Sequence, residues 1–237
     1  VEFADVILIS KTDLISADEL ESLKAILSSL NTSAELIAIE NGQVDINTIL
    51  GTGLFDFEKA QQAPGWLKEL RGEHTPETEE YGISSFVYTA RRPFHPKKFF
   101  EFIHQLNNEN DSISGKLKGK LIRSKGYFWL ASRPEYAGSW SQAGGMARHG
   151  QAGLFWKAVP QDQWPEDEDY QASIRESWEE PFGDMRQELV FIGQHLDKQE
   201  MTQALDDCLL VDDELLAGKD LWKRLPDPFP EWSLSGD

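Results

Sequence analysis

The chain has one cysteine, Cys208, in 237 residues. An internal disulfide is therefore excluded, and so is any Cys-x-x-Cys metal site. A single free thiol suits a reducing cytosol. No apolar run approaches the eighteen or so residues that span a bilayer, which excludes a membrane helix. Bases are also scarce: 23 Lys and Arg stand against 41 Asp and Glu, for a formal charge of −18. That balance argues against nucleic acid or an anionic membrane as partner, because phosphate binding needs clustered cations. No His-Glu-x-x-His helix, no nucleophile elbow and no readable triad occurs. No signal peptide is visible, and the first residue is Val, so the expectation is a processed N-terminus or a piece of a longer chain.

The most informative stretch present is Val6-Ile-Leu-Ile-Ser-Lys-Thr-Asp13. Four apolar residues run straight into a polar loop, which predicts a buried strand and its turn. Ser16 with Glu19 forms a capping box. Leu20, Leu23, Leu27 and Leu30 supply the apolar stripe of the next helix, and Asn31 is its stop. Residues 34–39 read as a second strand, Glu40-Asn41-Gly42 as a turn, and Asp45 as the cap of a short helix through Leu50. Strand, helix, strand, helix is an α/β order with parallel strands. Two such strands are too few for a stable parallel sheet. Residues 1–58 thus read as the end of a Rossmann-like domain. Its exposed apolar edge or face would be covered by a second copy, and a homodimer is the expectation.

Residues 59–80 are acidic and broken by Pro64, Gly65, Gly72 and Pro76, which predicts a linker. The single His74 within it reads as solvated, or as part of a weak metal-catching segment. Beyond it the pattern changes. Residues 83–89 alternate as a strand, Pro96 opens a helix buried through Phe99, Ile103 and Leu106, and residues 121–130, 138–143 and 153–159 read as three short antiparallel strands. Residues 161–184 read as an acidic loop or short helix. Residues 189–192 are a further strand, and Asp197 with Glu200 caps a helix whose face includes Met201, Leu205 and Cys208. The second part, 81–212, is therefore α+β, with a mostly antiparallel sheet and helices on one face; 213–237 reads as a Pro- and aromatic-rich tail.

Ser10-Lys-Thr-Asp13 resembles the guanine-reading [N/T/S]-K-x-D motif of GTPases. A carboxylate at Asp13 can accept from both N1–H and N2–H of guanine, a donor pair that adenine lacks, while the Lys11 stem lies over the base. Continuing through Gly51-Thr-Gly-Leu-Phe-Asp56, Arg92-Pro-Phe-His-Pro96, Leu121-Ile-Arg-Ser-Lys-Gly126, Gly138-Ser-Trp-Ser-Gln-Ala-Gly-Gly145 and Arg186-Gln-Glu-Leu-Val-Phe-Ile-Gly193, the chain resembles CobW-type GTPases of the zinc-associated, YciC-like branch. The resemblance covers about residues 3–210. It implies the C-terminal remnant of a P-loop GTPase domain followed by the CobW C-terminal domain. It also implies GTP or GDP with Mg in the intact parent, zinc or cobalt as cargo, a client metalloprotein as partner, and a cytoplasmic setting. Ser10, Lys11 and Asp13 match the base-reading positions, and Glu40 and Asn41 edge the pocket.

Other parts of the pattern are missing. No G-x-x-x-x-G-K-[ST] phosphate loop occurs; Gly115-Lys-Leu-Lys-Gly-Lys-Leu121 has short spacing and ends on Leu. Without that phosphate loop this chain alone should not hydrolyse GTP; the family's Cys-x-Cys-Cys metal motif is absent too, and with it the thiolate site expected for tight zinc binding. His95, His104, His149 and His195 are scattered, and read as surface or core residues or as isolated ligands. Arg91, Arg92, Arg123 and Lys125 read as ion-paired, or as a basic patch that contacts the G domain or its nucleotide. Cys208 reads as core, or as reactive. The alternative to a metallochaperone is a non-enzymatic interaction module that binds a client through its aromatic and acidic face.

Overall fold

A computed structural model describes residues 1, 3–56, 82–106 and 119–232. The linker reading of 59–80, with His74, lies outside them. The chain forms two compact units divided at Ser85 and Phe86.

In the first unit, β1 (Val6–Ile9) pairs in parallel with β2 (Glu35–Ala38), joined by α1 (Ala17–Leu30). Helix α1 starts where the sequence says it should. The Ser16 hydroxyl accepts from the Glu19 amide, and the Glu19 carboxylate accepts from the Ser16 amide at 2.8 Å, so two amides with no helical partner are satisfied. Asn31 ends the helix and is almost fully buried. Its side-chain amide donates to the carbonyls of Val1 and Ala4, and its oxygen accepts from the amides of Ser33 and Ala34. The strand expected to be buried is only partly so: Ile9 is buried, but Leu8 is exposed. A two-stranded sheet with one helix covers one face at most. Asp45 does act as a cap, but the helix it starts is a single 3-10 turn, Ile46–Thr48.

The second unit is built on a five-stranded sheet in the order β3-β7-β4-β5-β6. The strands are β3 (Ile83–Ala90), β4 (Lys120–Trp129), β5 (Tyr136–Ala143), β6 (Met146–Leu154) and β7 (Gln187–Gln194). The pairs β4–β5, β4–β7 and β5–β6 are antiparallel. Helices α2 (Pro96–Leu106) and α4 (Lys198–Asp206) bring Phe99, Ile103, Met201 and Leu205 to a core with Phe94, Phe128 and Phe191. Between them in sequence lies α3 (Glu168–Glu176). Pro96 takes the first position of α2, as its fixed φ and missing N–H favour. At the β4–β7 crossing, Gly126 sits at φ +145°, and a Cβ there would meet the Glu188 carbonyl at 2.0 Å.

Two expectations need correction. The strand placed at 153–159 is β6, at 146–154. Gly144, at φ +55°, opens a tight turn that pairs Ala143 with Met146. The apolar run after β6 leaves the sheet so that Phe155 can plug a second core cluster with Trp129, Met185 and Trp222. Residues 212–232, most of the segment read as a tail, are also packed. They carry α5 (Asp212–Leu216) and α6 (Lys219–Trp222). Beyond them Arg133 donates to Asp227 and to the carbonyls of Phe229 and Pro230, and its guanidinium lies 4.4 Å from the Trp232 ring centre. Phe229 and Trp222 are buried.

Candidate functional site

The residues singled out in the sequence meet at the carboxyl ends of the two parallel strands. Ser10 leaves β1, Lys11 adopts a left-handed conformation (φ 59°, ψ 35°), and Thr12–Leu14 closes a 3-10 turn with Leu14 N–H donating to Lys11 O. On the neighbouring strand, Glu40 and Gln43 bracket a turn in which Asn41 (φ 51°) and Gly42 (φ 71°) are both left-handed. Asn-Gly is the pair that accepts this geometry most readily. A lysine is not, and a non-glycine residue held there costs of the order of 1–2 kcal/mol. The described residues hold three non-glycine positive φ values, at Lys11, Asn41 and His195. Two of them, Lys11 and Asn41, lie in these two loops, and of the two only Lys11 is strained by it.

One side chain joins the two loops. Thr12 Oγ1 donates to the Ile39 carbonyl at 3.1 Å, and the Thr12 amide points at the same oxygen at 3.5 Å. Ile39 N–H in turn donates to Ile9 O at 2.8 Å and extends the strand ladder into the loops. Ser10, Lys11, Asp13, Glu40 and Asn41 are all exposed, while Thr12 is half-buried. Open α/β sheets bind ligands outside the carboxyl ends of their strands, so a carboxylate and an ammonium are presented where that rule expects them. The sequence pattern gave Thr12 no role because it is the free position of K-x-D. Its hydroxyl, directly before Asp13, was the available signal.

Arg91, Arg92, Cys208 and His149 have structural roles. Arg91 donates to the carbonyls of Gly183 and Ser177 and pairs with Glu179; Arg92 donates to Leu210 O and pairs with Asp212. These two guanidiniums bind loops of their own unit. Cys208 lies just past the end of α4 rather than on it, buried, with its Sγ 3.2 Å from the Ala204 carbonyl. Burial pushes its thiol up to about 12, which makes it inert. Burial, then His104 and Arg133, holds the His149 imidazole below its ordinary value; its ring packs edge-on to Phe229. Among the described residues, no three His, Cys, Asp or Glu side chains come together in a way that could hold a metal ion. No helix among them is long and apolar enough to cross a membrane.

The sequence also held no warning of Gln187. Fully buried, its amide oxygen accepts from Trp129 N–H at 2.8 Å while its amide nitrogen donates to the carbonyls of Trp129 and Arg92. It joins β7 to the end of β4 and to the segment that leaves β3.

Residues 83–209 match the family model of the cobalamin synthesis protein cobW C-terminal domain. Zinc-regulated GTPase metalloprotein activator 1 of Dictyostelium discoideum is 43% identical over 230 residues, which cover 97% of this chain and 46% of that protein. A zinc chaperone of Mycobacterium tuberculosis is 30% identical over 151 residues, 63% of this chain and 35% of the relative. Among solved structures, Zn(II)-bound YjiA GTPase from E. coli aligns with 88% of this chain and 53% of its own at 19% identity, with a TM-score of 0.38. The chain therefore spans about half the length, or less, of the curated relatives it matches. With the family's C-terminal domain over more than half its residues, and its own sheet, helices and core formed there, the chain belongs to the CobW family.

Proposed function

We propose that this chain is part of a GTP-dependent metallochaperone that handles zinc, or cobalt, for client metalloproteins. Residues 1–58 carry guanine recognition, and 81–212 form the client-facing CobW C-terminal domain. The observation that carries this reading is the loop pair at the carboxyl ends of β1 and β2, in one chain with that domain. Asp13 accepts from N1–H and N2–H of guanine, Lys11 lies over the base, Ser10 supplies a hydroxyl, and Glu40 and Asn41 border the pocket. The 43% identity to a zinc-regulated GTPase metalloprotein activator supports the assignment.

The residues here fit the base and not the rest of the nucleotide. With no phosphate loop in the sequence, triphosphate and Mg are held, on this reading, by other parts of the intact protein. Zinc is likewise cargo for ligands beyond the described residues, since Cys208 is buried and protonated. The setting proposed is the cytoplasm, and the exposed apolar side chains of the first unit make a homodimer part of the proposal.

A fluorescent-GDP titration of the full-length gene product tests the base assignment. Losing a charge-assisted hydrogen-bond pair in Asp13→Asn should weaken GDP by about tenfold to a hundredfold. The same variant should gain affinity for xanthosine diphosphate, whose C2 oxygen accepts from the new amide. Unchanged GDP affinity would overturn the role of Asp13. No GDP binding by the intact protein would favour a non-enzymatic interaction module.

A further inference from the structure

Charge in this chain is segregated. Residues 112–161 hold eight Lys or Arg and one acidic residue, Glu135, in a protein of net charge −18. Strands β4, β5 and β6 fold from that stretch and contain no Asp or Glu. Alternation sorts their side chains to two faces. Ser124, Phe128 and Trp140 are buried toward the core. The opposite face carries Arg123, Lys125 and Tyr127 on β4, Ser139 and Ser141 on β5, and Arg148 on β6. Register sets Lys125 beside Ser141 and Ser141 beside Arg148, so two cations flank a hydroxyl across three strands, about 10 Å apart at the backbone. Arg123 and Lys125 already engage neighbours; what they add is positive potential. Arg148 is exposed.

At Tyr127 this face opens into a cleft of about 440 Å3 between the sheet and α3. Tyr127, Leu154, Trp156 and Tyr170 give it apolar walls; Arg186, paired with Glu188, and Asp184 also line it, so the cationic part of the face is Arg123, Lys125 and Arg148. Tyr127 and Leu154 are 42% and 48% exposed.

We propose that this sheet face and its cleft form a docking surface for an acidic, extended segment of a partner protein. Carboxylates of the segment lie over Lys125 and Arg148, and one bulky apolar side chain enters the cleft beside Tyr127 and Trp156. Charge complementarity selects the occupant: a basic island inside an acidic protein attracts a short acidic segment and steers it to one place. A nucleic acid is disfavoured. Its charge continues beyond the island, at one phosphate per roughly 1.7 Å of duplex, and meets the acidic remainder of the chain. The strand face also offers a single exposed aromatic, Tyr127, where stacked bases need several. The docking surface does not depend on nucleotide binding, so its test and the GDP titration fail separately.

Fluorescence anisotropy of the purified chain with a labelled peptide of about ten residues, Glu-rich with a central Trp, provides the test; that length spans the three strands and the cleft. A Gln-for-Glu version of the peptide and a single-stranded oligonucleotide of like length are the comparisons. The Glu peptide should bind and lose about tenfold or more in affinity as salt rises through the range that screens charge. Arg148→Glu should weaken it severalfold, and Lys125→Glu with Arg148→Glu by about tenfold or more. Tyr127→Ala should weaken binding while leaving its salt dependence in place. Circular dichroism checks each fold, and exposed Arg148→Glu serves alone if the double variant is unstable. Equal binding of both peptides, binding of neither, indifference to charge reversal, or tighter binding of the oligonucleotide would each overturn the proposal.

Discussion

In residues 86–232, Phe94, Phe128, Trp129 and Leu130 are 0% exposed, whereas in residues 1–56 the buried apolar side chains are Ile9 and Ile39 alone. Leu14, Leu50 and Phe55 of that first region are 72%, 64% and 68% exposed. The number of covering elements accounts for the difference. In the second region α2 and α4 pack on a five-stranded sheet, while residues 1–56 hold two strands and one α-helix. Parallel strands need crossovers and cover on both faces. The second region is held by burial, and the first mainly by hydrogen bonds at its turns and caps. The region with the weaker core is the one that carries the candidate ligand site.

Each of four measurements can break that comparison. Phe128→Ala should cost about 3–5 kcal/mol, read by urea unfolding followed through tryptophan fluorescence; Leu8→Ala should cost less than about 1 kcal/mol. Equal costs would mean that the regions do not differ as described. Next, Gln187→Leu takes the side-chain partner from the buried Trp129 amide and the Arg92 carbonyl, while the Trp129 carbonyl keeps the Phe94 amide; it should lower stability by about 2–3 kcal/mol, seen as a lower thermal midpoint in near-ultraviolet dichroism. Asn31→Ala removes the four backbone hydrogen bonds around the end of α1. It should cost about 1–2 kcal/mol and speed amide exchange in β1 and β2 while sparing β4 and β7; faster exchange in both sheets would show that the units share one cooperative transition.

The smallest effect concerns pH. Burial depresses the His149 imidazole in the folded state below its unfolded value of about 6.5, so the unfolded chain takes up the proton first. Stability is then intact above about 6.5 and falls as pH drops through and below that value. His149→Gln should flatten this fall in a series of urea midpoints, and an unchanged slope would mean that His149 does not cause it.

Where a local rule decides the outcome, the sequence was readable. Ser16–Glu19, Asp197 and Pro96 each fix a helix start through one or two atoms, and all three stand where expected. The misplacement of β6 has the opposite cause. Met146–Leu154 is rich in Gly and Ala with weak alternation, while Leu154-Phe-Trp looks more like a strand, yet Phe155 leaves the sheet for a distant cluster around Trp129. Gln187 was illegible because its partners, Arg92 and Trp129, are far away in sequence. So was the joining of the two loops, since K-x-D says nothing of x. The chain end misled for a related reason: a Pro-rich segment looks loose until Arg133, about a hundred residues earlier, collects its carbonyls.

The bond from Thr12 to Ile39 has a consequence for how this site can vary. Two loops that lean on one carbonyl oxygen are a single mechanical part with two exposed ends. A change in Glu40–Gly42 that shifts Ile39 would move the acceptor of Thr12, the residue before Asp13, so substitutions in the two loops are expected to be non-additive.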